Sequence, residues 1–396
     1  MTPQQPDRDP YRLDEWFARS GTGPLSGVLV ADFGRVLAGP YCTMLLGDLG
    51  ATVIKIESKD GDETRSWRPP VHDDEATYYL SVNRNKHSIA LDLGDDDDRA
   101  VAQQIAHRAD VLIENFKPGS LARFGLDHDS VVAANPGVVY TSITGFGTGA
   151  GASLPGYDLL VQAMSGMMDL TGSPGSQPYR SGVAVFDVIT GLHAALGIVA
   201  ALRHRSASGR GQHLELDLMS SALSGLVNQS GAHVVAGVTP HRMGNAHPSI
   251  YPYEPLDTAD GQLVLAVGNN RQFARLCEAL GLGELIDDPR FVTNPERSAH
   301  RDELRPLLAG ALAARPALEW YELLSPLGVP CGPILDVAGG VAMAGDLGLD
   351  PVVTAGGLPG IRHPVRYSDT PPTYDYAPPA LDGSGDRVRA WLAATR

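Results

Sequence analysis

Short apolar runs alternate with helical stretches along the first half of the chain. Residues 27–33 (GVLVADF) have the pattern of a buried strand. After GRVLAGP, a helical stretch over 41–49 (YCTMLLGDL) leads through a glycine to the β-branched run ATVIKIE, which ends at Glu57. This is a strand, helix, strand unit. A third cycle spans 89–119, where DRAVAQQIAHRA precedes DVLIENF and PGS, and a fourth strand, VVYTSITGF, follows another short helix. Such alternation predicts an α/β fold, a doubly wound and mostly parallel Rossmann-like sheet with right-handed crossovers and helices on both faces.

From 155 to 211 the pattern turns mainly helical. It includes LLVQAMSGMM and FDVITGLHAALGIVAALRHR, whose apolar positions are too dense for a surface helix and predict a core element. QHLELDLMSSALSG adds a short strand and a helix, after which turn-rich segments with strand patterning begin. A domain boundary is therefore expected near 225. The resulting organisation is a tail over 1–24, read as a tail or short docking helix, and a large domain over 25–225. A smaller α+β domain follows over 226–332, with short helices in 271–327. The Pro- and Gly-rich GVPCGPILDV then returns a C-terminal segment, 333–396, to the large domain. The acidic run at 95–98 reads as a solvated loop and helix N-terminus rather than a cation site.

Composition narrows the class. With 31 basic residues against 46 acidic ones the formal charge is −15, which argues against binding nucleic acid through a basic surface. The chain's 396 residues, 43% of them hydrophobic, suffice to bury a sizeable core and suggest two or three domains. Three cysteines without paired spacing, Cys42, Cys277 and Cys331, support neither a disulfide framework nor a zinc ribbon, and fit a reducing cytoplasm. No signal-peptide core and no run of 18 apolar residues occurs, so no membrane association is expected.

Several chemistries can be set aside on spacing. The first strand, loop and helix imitate a dinucleotide site, yet Gly34-Arg-Val-Leu-Ala-Gly39-Pro40 supplies two glycines five apart instead of G-x-G-x-x-G. A helix start at Pro40 and Tyr41 either attracts a phosphate or serves as a turn shaped for packing. Gly145, Gly147, Gly149 and Gly151 lack the lysine and hydroxyl of a P-loop and read as a flexible loop near a site. Gly151-Ala-Ser153-Leu-Pro155 ends in proline where a nucleophile elbow needs glycine. The twelve histidines show no metal-ligand spacing, so no metal site is expected. One carboxylate stands out: Asp187 lies between the apolar segment 182–186 and a hydrophobic helix. It is open to two compatible readings, a helix N-cap or a nucleophile held at a helix end.

Taken in order, LVADFGRVLAGPYCTMLLGDLGATVIKIE, NRNKHSIALDL, ADVLIENFKPGSLARFGLD, VVYTSITGFG, PGYDLLVQAMSGMM, the Asp187 helix with HRSASGRGQ, GNAHPSIYPYE and GVPCGPILDV resemble the family III CoA-transferases. That family contains formyl-CoA transferase and carnitine CoA-transferase, with the related alpha-methylacyl-CoA racemases. The resemblance covers nearly the whole chain. It implies that Asp187 is the nucleophile, attacking an acyl-CoA thioester to give an aspartyl anhydride and then an aspartyl-CoA thioester that passes CoA to a second carboxylic acid. It also implies that Val36, Ala38, Leu91, Asn115, Phe116, Arg123 and Tyr157 line the CoA cleft. Ser58 and Gly94 stand where some members present basic residues to the nucleotide end, which leaves Lys59 or Lys86 as replacements. Tyr157 occupies the position at which the racemases use a histidine base. A phenol with an unperturbed pKa of about 10 serves poorly there, so a transferase is favoured over a racemase or isomerase. Retention of Asp187 argues against a non-catalytic acyl-CoA-binding protein. Asn245 and His247 either reach the acyl or acceptor site or stabilise a turn and a domain interface. The resemblance further implies coenzyme A or acyl-CoA as substrate rather than as a tightly bound cofactor, a small carboxylic acid as its partner, and an interlocked homodimer.

Overall fold

Six strands form one parallel sheet: β1 (Leu29–Asp32), β2 (Thr52–Glu57), β3 (Lys86–Ala90), β4 (Val111–Glu114), β5 (Val139–Thr144) and β6 (Gln212–Asp217). Their spatial order is β3-β2-β1-β4-β5-β6. The central strands are buried along their length, with no solvated side to demand alternation, as in a parallel sheet covered on both faces. The order reverses between β1 and β4, and in doubly wound sheets the loops at such a switch point open a crevice beyond the strand ends. Strand β3 corrects the expected third cycle. Its first residues, Lys86, His87 and Ser88, are polar, so the apolar signal begins only at Ile89, yet all five residues are buried.

The computed structural model describes residues 13–17 and 23–394. Most of the expected N-terminal tail lies outside the described residues; Leu13–Trp16 form one helical turn, and the buried Phe17 ring sits 5.7 Å from that of Trp391. The helices of this unit used below are α1 (Ala38–Asp48), α2 (Asp96–Arg108), α3 (Asp158–Met164), α4 (Val185–Ser208) and α5 (Leu218–Gly225). At the start of α2, Asp95 accepts from the backbone N–H groups of Asp97 and Asp98, each at 3.0 Å, so the acidic run is a helix N-terminus as expected. Asp98 itself is paired with Lys59 and Arg389.

Helix α4 buries one face only, through Phe186, Thr190, Ala194, Ile198 and Ala201. Leu192, Leu196 and Val199 stay exposed, Leu196 by 70%. The expectation of a fully buried core helix therefore holds for half its circumference within one chain. The buried face crosses α1 closely: a Cβ at Gly191 would stand 2.7 Å from the Ala38 carbonyl oxygen.

The chain divides into two compact units. The first comprises Met1–Ser165, Ser181–Gly237 and Asp350–Arg396, and the second Gly166–Arg180 and Val238–Leu349. The second unit differs from the expected 226–332 at both ends. Residues 166–180 join it because Asp169 pairs with His241 and Arg242, and Gly244 N–H donates to the Gly172 carbonyl. Its antiparallel sheet, β7 (Tyr253–Asp257), β8 (Gln262–Ala266) and β9 (Cys331–Pro333), packs with short helices around Phe273, Phe291 and Trp320. Strand β9 is the CGP end of the GVPCGP motif, so that motif completes the small sheet and the return to the first unit comes only near 350. There, Thr373 and Tyr376 meet Asn85, and the Ser384 N–H donates to Ser88.

Candidate active site

The crevice at the switch point is a cavity of about 390 Å³. Its walls come from the loop after β1 (Arg35, Val36, Ala38), the segment after β4 (Asn115, Phe116), the glycine loop after β5, and Tyr157 with Asp187. Five of the seven residues assigned to the CoA cleft therefore meet around Asp187: Val36, Ala38, Asn115, Phe116 and Tyr157. Leu91 does not. Its side chain is 2% exposed in the hydrophobic core, where Phe116 packs against the same cluster, because the backbone leaving β3 turns it inward. Arg123 also stands outside the cavity lining, on a short 3-10 turn with its guanidinium over the Phe124 ring.

The loop after β1 is held by polar groups buried beneath it. The Asp32 carboxylate accepts from Gly34 N–H (2.9 Å), Thr43 Oγ1 (2.6 Å) and Lys86 Nζ (3.0 Å). Lys55 Nζ donates to the Gly34 carbonyl at 2.8 Å and to Asp62 at 2.9 Å. Asn115 completes the frame: its Oδ1 accepts from Arg35 N–H and its Nδ2 donates to the Arg35 carbonyl. These bonds hold Val36 at a φ of 66°, a left-handed conformation that a β-branched residue adopts only where its surroundings enforce it. Asn115 thus shapes the cavity through the backbone it clamps, while the Arg35 guanidinium lies 4.7 Å from the Phe116 ring centroid.

Lys86 is removed as a replacement for the nucleotide-end basic residues. Its ammonium is fully buried among Asp32, the Pro40 carbonyl and Asn83, and burial, opposed by Asp32, lowers its pKa to about 8. Lys59 is half exposed, but its Nζ is engaged by Asp98 and the Ala90 carbonyl. Glu57, which imitates the ribose-binding acid of a dinucleotide site, is occupied by Arg65 and Ser88. Asn245 and His247 belong to the second unit, where the His247 ring lies 5.1 Å from that of Tyr253. Cys42, Cys277 and Cys331 are free thiols.

Asp187 itself departs from the N-cap reading. Helix α4 starts at Val185, with no strand before it and with Ala184 at the cap position, so Asp187 lies within the first turn. The cap comes from elsewhere: Asp158 Oδ1 accepts from Phe186 N–H at 2.7 Å and from Asp187 N–H at 3.1 Å. The Asp187 carboxyl is thereby free to face the cavity. Burial, helped by the Asp158 charge, raises its pKa to about 7. Tyr78, from the helix Thr77–Val82, lies in the same electrostatic environment. Burial and then the charges of Asp187 and Asp158 push its phenol up to about 12, and its ring sits 5.1 Å from Trp67. Neither Asp158 nor Tyr78 could be assigned from sequence; the one available signal for Asp158 was an acidic residue opening a helical segment directly after Tyr157.

A carboxylate of raised basicity, lining a cavity walled by apolar, aromatic and backbone groups, can attack an activated acyl group. Comparisons with known proteins point to CoA transfer. The model of CoA-transferase family III matches residues 25–384. Succinate–glutarate CoA-transferase of Agrobacterium fabrum (strain C58) is 43% identical over 93% of this chain and 96% of its own length. Acetyl-CoA:oxalate CoA-transferase of Acetobacter aceti is 39% identical over 94% and 96%. A crystal structure of a CAIB/BAIF family protein from Brucella suis superposes with a TM-score of 0.86 at 41% identity, covering 94% of this chain and 100% of that one. The chain belongs to CoA-transferase family III.

Proposed function

We propose that this enzyme moves CoA from a short acyl-CoA, of the succinyl-CoA kind, to a small dicarboxylic acid, with Asp187 as covalent nucleophile. The observation that carries the proposal is the Asp187 carboxylate, unused as a helix cap, facing the switch-point cavity with a pKa near 7. An Asp187 oxygen attacks the thioester carbonyl, the C–S bond breaks, and CoA leaves as thiolate with an Asp187-acyl anhydride behind it. The thiolate then attacks the Asp187 carbonyl, releasing the first acid and forming an aspartyl-CoA thioester. The acceptor carboxylate displaces CoA to form a second anhydride, and the thiolate attacks its acyl carbon, so the new acyl-CoA departs and Asp187 is restored. No step consumes the activated acyl energy by hydrolysis.

The small dicarboxylic acceptor is supported by the names of the relatives, which pair succinate with glutarate and acetyl-CoA with oxalate. The same reading includes a homodimer. Leu192, Leu196 and Val199 on α4, with Leu223, Val234 and Val235 beyond it, are exposed apolar side chains that a second copy of the chain would cover.

Incubation with succinyl-, acetyl- and formyl-CoA against a panel of free acids, read by mass spectrometry, tests the transfer. With donor and hydroxylamine both present, a hydroxamate mass shift is expected on the peptide containing Asp187. Asp187→Asn should retain CoA binding while transfer falls by several orders of magnitude. Near-wild-type turnover in that variant, with reversion by deamidation excluded by mass, would sink the assignment.

A further inference from the structure

The first turn of α4 presents a problem for a nucleophilic carboxylate. Unpaired backbone N–H groups at a helix N-terminus carry roughly half a positive charge, which stabilises a nearby carboxylate and makes it a weaker nucleophile. An aspartate in that turn also tends to fold back and cap those groups itself. Here both tendencies are met by a second carboxylate, 29 residues away in sequence from Asp187. Asp158 is 7% exposed, and its Oδ1 takes the N–H groups of Phe186 and Asp187. Its Oδ2 takes a bond from Gln162 Nε2. Gln162 is fully buried and is strapped to the approach of α4 in turn: its Oε1 accepts from Ser181 N–H at 2.8 Å, and its Nε2 also donates to the Val183 carbonyl at 3.3 Å.

We propose that Asp158 is a positioning residue for the transfer reaction: as a cap supplied from α3, it leaves the Asp187 side chain free to turn into the cavity, and its charge cancels the helix-end field that would otherwise weaken the nucleophile. The proposal rests on the reading of Asp187 as nucleophile. The groups facing Asp187 are Asp158 from α3 and Tyr78 from the helix Thr77–Val82, with Tyr157 and the charged Arg35, Glu63 and Lys117 along the cavity wall. Of these, Asp158 is the charge acting in the same direction as burial on the Asp187 carboxyl.

Charge and cap can be separated. In Asp158→Asn, the amide oxygen still accepts both N–H groups while the negative charge is gone. Transfer from succinyl-CoA to glutarate, followed from pH 5 to 9, should show the acidic limb of kcat/KM moved down by about one pH unit with a several-fold lower plateau, since a less basic carboxylate attacks more slowly. Asp158→Glu keeps the charge but displaces the cap. It should leave the limb in place and lower kcat at least tenfold, and it carries the test if the asparagine variant fails to fold by circular dichroism. A purely structural role for Asp158 would lower stability and yield without moving the limb. Hydroxylamine trapping on the wild type separates the two claims. An Asp187 adduct together with an unmoved limb in Asp158→Asn overturns the role of Asp158 alone, whereas no adduct in the wild type overturns the nucleophile and the proposal with it.

Discussion

At Asp187, burial and a neighbouring charge together raise the carboxyl pKa, with a consequence for stability. Its folded-state pKa, raised to about 7, lies above the unfolded value of about 3.9. Between those values the folded protein holds a proton that the unfolded chain has released, so the contribution to stability is full at low pH and is lost as pH rises through 7. Above pH 7 the wild type carries the cost of a partly buried anion, on the order of 2–4 kcal/mol. Asp187→Asn removes that cost while preserving shape. Its melting temperature should exceed that of wild type at pH 8, and the difference should shrink toward zero near pH 4, as measured by calorimetry across that range. An enzyme stabilised by replacing its proposed nucleophile would fit a site whose chemistry is maintained at the expense of folding.

At the level of elements, the position of Asp187 depends on how closely α4 lies on α1. Gly191, one turn beyond Asp187, permits that approach, because a methyl there would come within 2.7 Å of the Ala38 carbonyl oxygen. Backbone cannot yield as a flexible side chain can, so Gly191→Ala should push α4 away from the loop after β1. The expected outcome is a loss of about 1–3 kcal/mol in denaturant unfolding despite alanine's better helix propensity, together with a raised KM for acyl-CoA. The glycine loop after β5 is packed in a similar way: Gly145 lies against Gly156, where a Cβ would stand 2.3 Å from the neighbouring Cα, which brings the chain back to Tyr157 and Asp158. The loop expected from its glycines to be near a site does line the cavity.

For the whole molecule, exposed apolar surface is the feature a single chain leaves unexplained. Val234 and Val235 are 81% and 87% exposed, and Leu196 on α4 is 70% exposed. A second copy of the chain would remove that surface from water at a gain of about 25 cal/mol per Å². The proposed dimer should therefore persist on dilution, giving one dimeric species by analytical ultracentrifugation at low micromolar protein. A concentration-dependent monomer would count against it. Leu196→Asp, on the exposed face of the helix that carries Asp187, should weaken association and activity together.

The sequence by itself determined the doubly wound sheet, because strands buried on both faces read as short continuous apolar runs and the crossover helices separate them locally. It also singled out Asp187 as a carboxylate between an apolar segment and a hydrophobic helix, whereas a nucleophilic role for it and the cleft positions Val36, Ala38, Asn115, Phe116 and Tyr157 rest on the family resemblance; in the structure these six residues line one cavity. Only the tertiary structure decided which polar residues serve the framework. Lys86 neutralises Asp32 inside the protein and never reaches a nucleotide, Leu91 joins the core, and β3 hides its strand character behind Lys86 and Ser88. The cap on the Asp187 helix was likewise beyond local reading, for its acceptor lies 28 residues before the first N–H it serves. Periodicity reports which face of an element is buried. The partner that a buried polar group finds depends on where distant segments cross, and that is fixed by packing alone.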